Sequence, residues 1–401
     1  MADRRAGYGE NTLASPEFLT PATADAVVLV SLDFGEPDYQ ESLQELRQLV
    51  TSAGLQVRAT VEGKRNVPDA KMFIGSGKAE ELKLMMESAE VSVAAFNHDL
   101  SPSQQRNLER FLKARVVDRT GLILDIFAQR AQSHEGKLQV ELAQLEHLST
   151  RLVRGWTHLE RQKGGIGVRG GPGETQLEID RRLLRVRVKQ LKEKLAKLKQ
   201  QRGMQRRARK RSNLVTASLV GYTNAGKSTL FNKLTQSGVY AADQLFATLD
   251  TTSRKMYMPD EDGVKSNPIV LSDTVGFIKH LPTTLIEAFG ATLEEASQAD
   301  LLLHVVDVAS SNRDAQIAQV NLVLNEIGAA NVPQLLVLNQ IDRLDGVLND
   351  TAPGFERDEY GRIYQVRVSA KTGAGLEFIK LALSEHQQLL KKMRTEESAY
   401  A

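Results

Sequence analysis

Gly221-Tyr222-Thr223-Asn224-Ala225-Gly226-Lys227-Ser228 decides how this chain folds. The segment matches G-x-x-x-x-G-K-[ST], between a β-branched run at residues 215–220 and a helical stretch that begins near Lys227. A strand that passes through a glycine turn into a helix is the context in which this spacing cradles phosphate. The glycines let backbone N–H groups turn inward, and the helix start adds positive potential. Lys227 would reach the terminal phosphates of a nucleotide, and the Ser228 hydroxyl would bind Mg²⁺.

Working outward, further apolar β-branched runs fall at 269–272, 301–308, 334–338 and 364–368, with helical stretches near 285–298, 316–327 and 376–391. This alternation predicts a doubly wound α/β nucleotide domain over 213–392, followed by a short tail at 393–401. Upstream, residues 122–212 contain no convincing strand. Leu138, Leu142, Leu145 and Leu152 form one helical seam; Leu177, Leu184, Val188, Leu191, Leu195 and Leu198 form another. Such stripes need partner stripes for burial. The glycine-rich stretch at 163–173 can reverse the chain, so an antiparallel helical hairpin with a Gly-rich tip is expected. Residues 26–121 alternate short strands with helices and read as a small α/β domain with a mostly parallel sheet. Residues 1–25 are polar and read as a flexible tail.

The total charge of +2 conceals a strong asymmetry. Between Arg181 and Ser212 fifteen Lys or Arg residues face a single acid, Glu193, so the remainder is acidic. A basic helix of this kind points to a polyanion, with Arg181, Arg182 and Arg185 as phosphate contacts and Lys163 and Arg169 at the tip. Trp156 reads as packing, because without further aromatics there is no base-stacking platform. Gly75-Ser76-Gly77-Lys78 could hold a second phosphate, but the reading preferred here is an ordinary strand-to-helix turn. There are no cysteines, which excludes disulfides and thiolate zinc sites, and no run long enough to span a bilayer. A cytoplasmic, monomeric protein is expected.

Later residues choose the base. Asn339-Gln340-Ile341-Asp342 resembles the N-K-x-D guanine motif of the GTPase superfamily, in which the Asp carboxylate accepts two hydrogen bonds from guanine. Adenine lacks that pattern, so GTP/GDP is expected. Ser369-Ala370-Lys371 resembles the S-A-K loop on the other edge of the base. Gln340 replaces the usual Lys, which implies weaker affinity. Asp273-Thr274-Val275-Gly276 resembles the D-x-x-G switch, whose Asp holds Mg²⁺ through water. Phe246-Ala247-Thr248-Leu249-Asp250 is positioned as the first switch, where Thr248 would coordinate Mg²⁺ only while the γ-phosphate is present; Thr251 and Thr252 are rivals for that role. Phe277 stands where many GTPases carry a water-orienting Gln, which implies slow intrinsic hydrolysis accelerated by a partner. No general base can be named. Asn224 could ligate K⁺, as in some relatives with N-A-G-K-S loops.

With KGGIGVRGGPGETQLE at 163–178, then Asp180-Arg181-Arg182, the loop 221–228, residues 246–250 and DTVGFI at 273–278, the chain resembles the HflX family of GTPases. Residues 74–82 (IGSGKAEEL) add to the likeness. The resemblance implies a Ras-like GTPase domain. It also implies a stress-response GTPase that binds the large ribosomal subunit and its rRNA and splits ribosomes. Two alternatives share the same residues: a GTPase of large-subunit assembly, and a nucleotide-gated anti-association factor whose hydrolysis is incidental.

Overall fold

The computed structural model describes residues 26–155, 176–211, 214–236, 245–246, 248–257, 268–279, 290–344 and 352–400. These form two compact units. One holds the described residues up to Asp125 apart from Ser101–Ser103, and the other holds the rest.

In the first unit β1 (Ala26–Asp33), β2 (Gln56–Lys64), β3 (Val93–Phe96) and β4 (Arg115–Val117) form an all-parallel sheet of order β2-β1-β3-β4. Helices α1 (Tyr39–Ser52), α2 (Ser76–Ser88) and α3 (Pro102–Leu112) supply the crossovers that parallel strands require. Val28, Val30, Phe96 and Val116 pack with Leu82, Met86 and Leu108 in the core. Helix α4 (Arg119–Arg130) follows β4 almost at once. It has no seam of its own in the leucine pattern and was not anticipated.

The second unit begins with the expected hairpin, α5 (His134–Gly155) and α6 (Gln176–Arg211). Leu138, Leu142 and Leu191 are its buried centre, with Leu145, Val188, Leu195 and Leu198 alongside. Ion pairs Glu135–Arg202 and Glu146–Lys192 fix the antiparallel register. The Gly-rich tip, Trp156, Lys163 and Arg169 lie outside the described residues.

Seven strands follow in the order β10-β11-β9-β8-β5-β7-β6. They are β5 (Thr216–Val220), β6 (Thr252–Met256), β7 (Ile269–Asp273), β8 (Leu301–Asp307), β9 (Gln334–Asn339), β10 (Gly354–Arg357) and β11 (Ile363–Arg367). The five central strands run parallel, and β6 and β10 close the edges antiparallel. Both edge strands escaped the sequence reading because they are short and charged, as in Ser253-Arg254-Lys255 and Glu356-Arg357. That composition suits an edge that must not pair with other chains. Helices α7 (Lys227–Thr235) and α10 (Leu376–Tyr400) cover one face through Leu230, Phe231, Ile379 and Leu383. Helices α8 (Gly290–Ser297) and α9 (Arg313–Glu326) cover the other through Leu293, Val320 and Leu324. The first strand, β5, sits between β7 and β8, which is the switch point where doubly wound sheets bind ligands.

Candidate GTP-binding site

The phosphate loop leaves the carboxyl end of β5 with backbone that only glycine can supply at two points. Gly221 has φ +147, and a Cβ there would stand 2.1 Å from the Val305 carbonyl oxygen. Gly226 has φ +88, and its Cβ would meet Asn339 Nδ2 at 2.4 Å. The loop is braced by the next strand's exit, where Thr223 N–H donates to the Phe277 carbonyl (2.7 Å) and Phe277 N–H to that of Gly221 (3.1 Å). Gly276 is pressed so close that a Cβ would fall 3.0 Å from Lys227 Nζ.

Lys227 is buried at 6% exposure and donates to the Tyr222 carbonyl (2.8 Å). Burial pulls its pKa down to about 8, against the opposing pull of Asp273. Around it three oxygens converge. Ser228 Oγ and Thr248 Oγ1 are 2.7 Å apart and both donate to Asp273 Oδ2, at 2.7 and 2.9 Å. Asp273 is wholly buried, and burial pushes its carboxyl up. Its Oδ1 has no hydrogen-bond partner among the described residues. Thr274 instead turns back to the Leu219 carbonyl (2.6 Å). Of the three threonines weighed for the first switch, Thr248 is the one in this cluster; Thr252 pairs with Asp273 in the β6–β7 ladder. Ala247 lies outside the described residues.

The candidate base-recognition loops dock directly on the phosphate loop. Buried Asn339 donates through Nδ2 to the Ala225 carbonyl (2.8 Å) and accepts the Ala370 N–H (2.9 Å), so it ties three segments together. Gln340 takes the left-handed conformation (φ +69) and donates to the Asn224 carbonyl (3.0 Å). Its Oε1 accepts from Arg343, which also donates to Asp307. Ile341 is buried under the loop, whereas Asp342 is exposed with Oδ1 accepting the Ser369 hydroxyl (2.5 Å). Lys371 is exposed beside it. Phe277 is buried among Val220, Leu293 and Leu302, so its ring belongs to the core and not to the site.

On the hairpin the cationic face is narrower than the sequence suggests. Arg187 pairs with Glu141, Lys192 with Glu146, Arg202 with Glu135 and Lys199 with Glu294. Glu135, Glu141 and Glu146 come from α5, and Glu294 comes from α8. Arg182, Arg185, Lys189, Lys194 and Lys197 are exposed. Sequence reasoning missed one contact altogether: Asp250 accepts hydrogen bonds from Gln132 and Ser133, at the start of α5. A Ser just before an apolar helix signals a cap, but nothing local signals a carboxylate 117 residues away.

A phosphate loop at the switch point, a D-x-x-G segment behind it and an N-x-x-D loop docked on it define a Ras-like GTPase. Three family models match in sequence: the GTP-binding GTPase N-terminal region over residues 40–128, its middle region over 130–209, and the 50S ribosome-binding GTPase model over 216–340. GTPase HflX of Escherichia coli (strain K12) is 54% identical over 90% of this chain and 82% of its own length. GTPase HflX of Magnetococcus marinus is 51% identical over 84% and 76%. The solved SsGBP–GDP complex is 26% identical with a TM-score of 0.50, covering 92% of this chain and 99% of that one. The chain belongs to the HflX family of GTPases, and it hydrolyses GTP.

Proposed function

We propose that this GTPase binds the large ribosomal subunit in its GTP state and separates ribosomes into subunits. The outward side of α6 would face rRNA. The observation that carries the switch is the convergence of Ser228, Thr248 and Asp273 beside Lys227, with one carboxylate oxygen left over. Hydroxyl and carboxylate oxygens are the hard donors that Mg²⁺ prefers. Among the described residues no group of three or more His, Cys, Asp or Glu offers a competing metal site. Ser228 and Thr248 would hold the ion directly and Asp273 through water; when bound, it neutralises charge on the β- and γ-phosphates. Thr248 comes from a different segment than Ser228, so its place depends on what lies between them. A γ-phosphate and its ion would fix it, and hydrolysis would release it.

Asp342 and Ser369 would read guanine, with Asn339, Gln340 and Ala370 supporting the loop and Lys371 at its rim. Gly276 would donate to the γ-phosphate. The core position of Phe277 leaves no polar side chain there to orient water, so hydrolysis would be slow until a partner supplies that group. A K⁺ ion beside Asn224 rests on the loop sequence alone.

The ribosomal destination draws support from the 50S ribosome-binding description of the matching model and from the exposed cations on α6. Phosphate neutralisation by such a row is the natural use of its charge. Among the described residues no helix is long and apolar enough to cross a membrane. Sucrose gradients test the reading. Intact ribosomes incubated with the protein and a non-hydrolysable GTP analogue should run as subunits, and with GDP they should stay associated. Thr248→Ala should abolish the difference. Ribosomes that remain whole with both nucleotides would sink the proposal.

A further inference from the structure

Phe246 and residues 248–250 do more than approach the phosphate loop; they also contact α4 and the start of α5. The Asp250 carboxylate accepts the backbone N–H of Gln132 (2.9 Å), the backbone N–H of Ser133 (2.7 Å) and the Ser133 hydroxyl (2.5 Å). Ser133 is itself the cap of α5, because its Oγ accepts the Gly136 N–H (2.8 Å) and its carbonyl accepts the Lys137 N–H. Asp250 therefore lies over the first turn of a helix, where a negative charge is favoured. Room for it exists because residue 136 is glycine: a Cβ there would stand 2.1 Å from Asp250 Oδ1. Four residues earlier, buried Phe246 takes φ +56 and packs edge-on against Phe127 (centroids 4.6 Å apart). A bulky residue holds that backbone only where its surroundings fix it.

Thr248 sits between these two anchors. It is two residues from Asp250, a reach of at most about 7 Å, and Thr252 on the far side is held by the β6–β7 ladder. We infer that Asp250, together with Ser133 and Gly136, is a positioning residue for the GTPase reaction: it sets the Thr248 hydroxyl beside Ser228 and Asp273, and so ties the nucleotide state to the start of the hairpin. Coupling between two sites is reciprocal, so whatever fixes Thr248 also steadies α5. This inference rests on the reading that Thr248 engages Mg²⁺ only with the triphosphate.

The test compares affinities of the full-length protein for GDP and for guanosine 5′-(β,γ-imido)triphosphate with Mg²⁺. Asp250→Ala should lower the triphosphate-over-GDP preference about tenfold while GDP affinity stays within about twofold, since Lys227 and Asp342 are untouched. Ser133→Ala should move the preference in the same direction, and Ser133→Thr, which keeps the hydroxyl, should restore it. Gly136→Ala should reduce the preference in the same way, because its Cβ would displace the Asp250 carboxylate. Amide exchange over residues 132–140 should be slower with the triphosphate analogue than with GDP in the natural protein, and equal in Asp250→Ala. A merely structural role would weaken both nucleotides together, and that result would overturn the inference. Thr248→Ala separates the two readings. If it removes the preference while Asp250→Ala does not, the Asp250 link fails and the Thr248 assignment stands; if neither moves it, both fail.

Discussion

The phosphate loop at 221–227 and the turn Gly75-Ser76-Gly77-Lys78 each place a lysine directly after a glycine at the start of a helix, one in each unit. At 226–227 the lysine is buried, hydrogen-bonded to a loop carbonyl, and ringed by backbone that faces inward. At 77–78 it is partly buried and pairs with Glu81 (2.8 Å), one turn along the same helix. Gly75, at φ +80, caps α2, but the space beside it is filled by the Arg65 guanidinium. Similar letters thus yield a loop running straight from strand to helix in one place and, in the other, a helix start reached from β2 through residues 65–75, which carry their own Asp69–Phe73 bridge. The difference lies in neighbours far away in sequence. Val305 and Asn339 crowd the first loop into its shape, whereas in the second the Arg65 side chain crowds Gly75, and Gly77 meets nothing within 4 Å. A motif is a statement about backbone, and the surrounding fold decides whether that backbone becomes a site.

Removing each lysine is the strongest way to break this comparison. Lys227→Met should weaken GTP binding about a thousandfold, roughly 4 kcal/mol, because a buried ammonium aimed at phosphate has no substitute. It should also raise the thermal stability of the nucleotide-free protein, since burial already disfavours the charged form. Calorimetric titration and a melting curve on the same variant check both halves. A variant that binds GTP normally would mean that the cradle does not depend on its lysine.

Much of this contrast was legible from residues alone, and the part that was not has a common cause. The phosphate loop, the strands that flank it and the hairpin seams announce themselves through local spacing, and each is present in the structure. Edge strands β6 and β10 did not, because an edge is charged and half exposed and so imitates a loop. Helix α4 was hidden by its near-uniform burial, with Leu122, Ile123, Leu124, Ile126 and Phe127 all inside and no clear stripe. The partners of Arg187 and Lys192 come from the other arm of the hairpin, and that of Asp250 from a different segment again. Contacts of that range leave no periodic trace.

The comparison extends to the buried ionisable groups of the two units. In the second unit burial pulls His304 on β8 down to about 4, so its folded form binds the proton less readily than the unfolded chain. Stability from this residue is complete above pH 6.5 and lost as pH falls toward 4. In the first unit burial pushes Asp125 up to about 6, with Asp118 adding to the shift and Arg115 opposing it. That carboxyl contributes most when protonated, and its contribution declines as pH rises from about 4 to about 6. Each effect is at most about 3 kcal/mol. Denaturant melts of His304→Met and Asp125→Asn against the natural chain across pH 4–7 should show differences of opposite slope. Parallel slopes would mean that these groups are not what distinguishes the two units under acid.

The smallest expected effect is the sharpest control. Lys78 and Glu81 form an i,i+3 pair whose side chains are 28% and 49% exposed, and the lysine stem lies over Gly63. Pairs of this kind contribute about 0.2–0.5 kcal/mol, less in salt, and the order Lys before Glu is the weaker one. Lys78→Ala should therefore change unfolding free energy by under about 0.5 kcal/mol and leave GTP affinity unaltered. Glu81→Ala should behave alike, because in this reading the pair is all that the lysine serves. The two variants diverge if the turn has a polyanionic ligand of its own. Glu81→Ala would then free an ammonium and strengthen binding, while Lys78→Ala would abolish it. Titrating both with inorganic triphosphate, in a Lys227→Met background that silences the other cradle, decides between a surface ion pair and a second site.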